Sequence, residues 1–89
     1  MSMAIADYEQ LRAFAGRLQQ YLSTITKETN TLQEAFRGLK GTWRDEKAAS
    51  FEKTLRELVN AQNAFKENAS KQIPYLLAQA DDLERYMKR

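Results

Sequence analysis

Side chains that perform chemistry are few in this chain, and their spacing does not assemble them. Histidine and cysteine are both absent. That removes the usual zinc ligands, the common nucleophile–base pairs and any disulfide. Serines stand at Ser2, Ser23, Ser50 and Ser70, none with a base at triad-like spacing. Asp81, Asp82 and Glu84 form the densest acidic group, yet residues one apart on a helix face different ways and make no carboxylate pair. A solvated face shared with Arg85 accounts for them. Gly38 and Gly41 lack the lysine and hydroxyl of a phosphate-binding loop. The reading is therefore of a non-enzyme without cofactor or metal. One cluster stands out, Gly41-Thr42-Trp43-Arg44-Asp45, which holds the only tryptophan. Phe51 follows Trp43 by eight residues, a little over two helical turns, so both rings can share a face. Ala48 and Ala49 between them are small enough for close packing. The chemistry on offer is apolar contact: an indole that plugs a helix junction with one edge and meets a partner with the other.

Two long helical elements must position that cluster. Ala4, Tyr8, Leu11, Ala15, Leu18, Leu22, Ile25, Thr29, Leu32, Phe36 and Leu39 alternate spacings of four and three, the seam of a left-handed helix pair. Phe14 and Tyr21 widen the stripe toward the width that a bundle needs. Ser2 or Asp7 caps this helix, the latter with Gln10 as a capping box. Gly38 and Gly41, beside Arg37 and Lys40, are a stop signal. Thr42 then fits the next N-cap, with Asp45 at its third helical position. The second seam runs through Ala48, Phe51, Leu55, Leu58, Gln62, Phe65, Ala69, Leu76, Leu83 and Tyr86. Val59, Ile73, Leu77, Ala80 and Met87 flank it. Pro74 either kinks this helix or starts a short third one. The stripe keeps its phase across the proline, which favours a kinked but continuous helix.

The expected fold is thus all-α: one domain over 1–89, with helix 1 about 4–38, a turn at 39–43, and helix 2 about 44–88, kinked near Pro74. The core is expected at Leu11, Leu18, Leu22, Ile25, Leu32, Phe36, Phe51, Leu55, Leu58, Phe65, Leu76 and Leu83. A chain of 89 residues buries too little surface for a lone hairpin to be comfortable, and oligomerisation is a common remedy. Fourteen basic and twelve acidic residues give a net charge of +2 without a block of one sign, so no nucleic-acid partner is expected. Arg85, Lys88 and Arg89 complement the negative end of a helix dipole. No stretch has the ~20 apolar residues of a membrane span. The first seven residues lack the basic and apolar regions of a cleavable signal peptide.

The run Trp43-Arg44-Asp45, with Ala48, Ala49 and Phe51 behind it in the middle of an all-helical chain, resembles the WXG-type small proteins of type VII secretion, the early secreted antigen superfamily. Asp45 stands where that pattern has glycine. The resemblance implies hairpins that dimerise antiparallel into four-helix bundles. It also implies export without a cleavable signal peptide, or a cytoplasmic location before export. The partners it implies are a related hairpin in a homodimer or heterodimer, a larger secreted effector or toxin, and an export ATPase. Gly41, Trp43, Asp45 and Phe51 would form the turn motif. Phe14, Leu18, Tyr21, Leu22, Ile25, Leu58 and Phe65 are the expected dimer interface. The family's C-terminal Tyr-X-X-X-Asp/Glu signal is missing: Gln79 lies four residues after Tyr75, and Tyr86 is too near the end. Either a partner carries the signal, or the chain belongs to a branch not exported by that route. The alternative function is a structural subunit of a secretion needle or filament, although such proteins usually have a proline-rich turn.

Overall fold

A computed structural model describes residues 6–88 as two helices, α1 (Tyr8–Leu39) and α2 (Glu46–Met87), folded back on each other. The described residues contain no strand. The expected positions Ser2, Ala4 and Arg89 lie outside them. The hairpin is a rod of 66 × 17 × 17 Å.

Asp7 starts α1. Its extended backbone lets Oδ1 accept from the Glu9 and Gln10 amides at 2.9 and 3.3 Å, satisfying two of the first turn's free donors. The other end differs from the glycine stop expected above. No described residue has a positive φ, and the C-cap is Lys40 in the right-handed helical region. The chain leaves α1 through tight turns in which the Thr42 and Trp43 amides both donate to the Leu39 carbonyl at 3.0 Å. Thr42 therefore belongs to the exit of α1 and does not cap α2. That role falls to Asp45, whose Oδ1 accepts from the Ala48 amide at 2.9 Å. Gly41 earns its place by proximity: a Cβ there would sit 3.3 Å from the Gly38 carbonyl oxygen.

α2 runs through Pro74 as one element. The missing amide and the ring clash cost about 3 kcal/mol in a helix interior. Packing on both sides offsets this, since Ala69, Ile73 and Leu76 join Ala15, Leu18, Leu22 and Ile25 in the hairpin's main apolar cluster.

The buried seam is narrower than the twelve expected core residues. On α1 it is Ala15, Leu22, Thr29 and Phe36, each seven residues from the last. On α2 it is Ala48, Leu55 and Ala69 at the same repeat, joined by Ile73 and Ala80. Leu32, Phe51, Leu58 and Phe65, expected inside, are exposed. The reason is geometric. Two helices in contact hide one stripe each, and the alanines on these stripes let the backbones approach. The second stripe of each helix is left outside.

Candidate protein-binding faces

At the turn, Phe36 is the buried centre of an aromatic trio. Trp43 meets it edge-on at 6.4 Å between ring centroids, and Phe51 packs against it at 5.5 Å. Trp43 and Phe51 thus share a site through Phe36. Trp43 is half-buried and Phe51 is 42% exposed, so the indole both plugs the hairpin end and keeps an accessible edge. A shallow groove beside it is lined by Lys40, Trp43, Arg44, Asp45, Ala48, Ala49 and Glu52. Arg44 was not singled out from the sequence. Its guanidinium donates to the Lys40 carbonyl at 3.3 Å and the Gly41 carbonyl at 3.2 Å, placing a cation on the free carbonyls that end α1. A basic residue shortly after a helix stop is the signal that would have found it.

Along the rod the two flanks of the seam differ in kind. One flank is polar. Arg12, Thr26 and Lys40 stand fourteen residues apart on α1, and each is tied to α2. Arg12 pairs with Asp81 at 2.8 Å and Glu84 at 2.5 Å, and its guanidinium lies 5.3 Å from the centre of the Tyr8 ring. Lys66 donates to the Thr26 hydroxyl at 3.0 Å. Lys40 pairs with Glu52 at 2.7 Å. These contacts set the titration of the groups. The hydrogen bonds that Arg12 donates to Asp81 and then to Glu84 raise its pKa. Hydrogen bonds from Lys88 and then Arg12 lower Glu84, and that from Lys40 lowers Glu52.

The other flank is apolar and open. Phe14, Tyr21, Leu32 and Leu39 from α1, with Phe51, Leu58 and Phe65 from α2, are each 40–57% exposed. Tyr21 and Phe65 meet edge-to-face at 6.4 Å across the two helices, so the residues form one face. Leu18 and Ile25 lie half-buried along it. Of the expected interface residues, Phe14, Leu18, Tyr21, Ile25, Leu58 and Phe65 are on this face, while Leu22 is buried in the hairpin's own seam. Midway along, the Thr29 hydroxyl donates to the Gln62 side-chain carbonyl, a polar layer in the seam.

Among the described residues no group of acidic side chains is placed to hold a metal ion, and no helix is long and apolar enough to cross a membrane. The family model described as WXG100, proteins of 100 residues with WXG, matches residues 5–86. Neither the curated proteins nor the solved structures yield a match to the chain.

Proposed function

We propose a function from one premise: the chain belongs to the WXG100 family and is a small helical protein associated with type VII secretion. It works by binding other helices. Its open apolar flank docks on a related hairpin to complete a four-helix bundle. In that state it is either an exported substrate or the chaperone-like partner of a larger secreted effector. The groove beside Trp43, on the side of the Lys40–Glu52 pair, stays outside the bundle contact and serves a second protein, of which an export ATPase is the expected kind. The observation that supports this most is the apolar face itself. Seven large apolar side chains stand outside a hairpin whose other flank is closed by ion pairs. Covering each such side chain is worth roughly 1.5–3 kcal/mol when fully buried, a strong drive to associate.

The test is sedimentation of the purified chain over a wide concentration range, with and without Leu58→Asp and Phe65→Asp. Discrete two-chain species that both variants abolish, at unchanged helicity, are the expected result. Open-ended polymers would favour a needle or filament subunit instead. Association that ignores both variants would reject the face.

A further inference from the structure

The apolar face carries one charge near its middle. Phe14, Tyr21, Glu28 and Ala35 follow at seven-residue steps along its α1 edge. Glu28 lines a shallow groove of ≈ 290 Å³ with Ile25, Thr29, Leu32, Leu58 and Gln62. Among the described residues it has no ion-pair partner, and the positions three and four away are Thr24, Ile25, Thr31 and Leu32. Nothing within the hairpin compensates this carboxylate once the face is covered. In helical bundles, charges flanking the apolar stripe are what select the partner and its orientation.

A second copy can dock on the face but meets this requirement poorly. Turned end for end about the middle of the α1 stripe, it sets α1 against α1, and Glu28 comes within about one helical turn of its own counterpart. Laid parallel, it brings Glu28 opposite the Gln62 level of α2, where Ala61, Gln62, Asn63 and Ala64 carry no charge. The first arrangement places like charges together and the second leaves the carboxylate unanswered.

We infer that the occupant of this face is a different helical hairpin, one that presents a lysine or arginine to Glu28 at the middle of its own apolar stripe. Glu28 then acts as a selector: it pairs across the heteromeric contact and weakens self-pairing. This inference rests on the docking face proposed above.

Sedimentation equilibrium at neutral pH and low salt tests it, on wild type, on Glu28→Gln, and on an equimolar mixture of wild type with Glu28→Lys, the latter copy standing in for the basic partner. All three residues suit an exposed helix position, so the fold, followed by circular dichroism, stays constant. Glu28→Gln is expected to self-associate several-fold more tightly than wild type. The mixture is expected to form one-to-one pairs about tenfold more tightly than wild type alone, through exchange of a like-charge contact for an opposite one. Wild type that pairs with itself as tightly as the Gln variant and the mixture overturns the selector role and leaves the face intact. No association in any sample, or association unaffected by Leu58→Asp, overturns the docking face and this inference with it.

Discussion

Asp45 starts α2 through its side chain. It occupies the slot where the WXG pattern has glycine, and it caps α2 through its carboxylate. Its φ is −87°, a conformation open to any residue. Glycine and aspartate are both acceptable N-caps, whereas alanine is poor. Asp45→Gly is therefore expected to cost only a few tenths of a kcal/mol, and Asp45→Ala about 1 kcal/mol. Urea denaturation followed at 222 nm measures both. Thr29 and Gln62 behave as a unit. Thr29→Val alone leaves the Gln62 amide short of a partner in the seam and is expected to cost about 1–2 kcal/mol. The double change Thr29→Val, Gln62→Leu is expected to come out near neutral, so a double-mutant cycle should show strong coupling.

At the scale of the helices, the sequence carried much of the answer. The unbroken four-three spacing from Tyr8 to Leu39 specifies α1, and the polar break with two glycines specifies the turn. What the spacing could not separate is which of the two interleaved stripes faces inward. Both are apolar, and both support a seam of period seven. The decision lies in side-chain size. Ala15, Ala48, Ala69 and Ala80 mark the stripe on which helices approach closely, while Phe14, Tyr21, Phe51 and Phe65 are left on the other. The turn was misread by one cap because Thr42 and Asp45 are both good caps by type, and only the two amide bonds to Leu39 assign Thr42 to α1. Pro74 yields a prediction here. Pro74→Ala restores an amide donor within α2 and removes the ring clash, and is expected to stabilise the hairpin by about 1–3 kcal/mol. A rise in melting temperature checks it. Trp43→Ala is the element-scale test of the turn. It is expected to weaken binding of the second partner more than it lowers helicity, because only part of the indole is packed on Phe36. Equal loss of both would leave the indole a plug alone.

For the whole molecule, the polar flank makes the ends of the rod, where Glu84 and Glu52 are held low by cations, more sensitive to acid than its middle. Glu84 is held below its ordinary value of 4.5 by Lys88 and Arg12. A lowered carboxylate stabilises the fold above its unfolded value and loses that effect as the pH falls through the folded one. The end that holds Tyr8, Arg12 and Glu84 is thus expected to loosen below about pH 4.5, while the seam around Leu22 and Ala69, which holds no carboxylate, stays closed. Hydrogen exchange on amides near residues 10–14 and 80–86, compared between pH 6 and pH 3.5 after correction for intrinsic rates, reads this directly. Glu84→Gln is expected to abolish the difference.

The slenderness of the rod has a consequence for transport. Two helices side by side are roughly 20–25 Å across with their side chains, so an aperture of that width admits the hairpin lengthwise without melting it. A four-helix pair needs nearly double the cross-section. For the pair and the export proposed above, passage through a conduit of single-hairpin width would require the mates to part while each stays folded, and a covalent staple between α1 and α2 would leave transit unaffected where a staple between mates would block it.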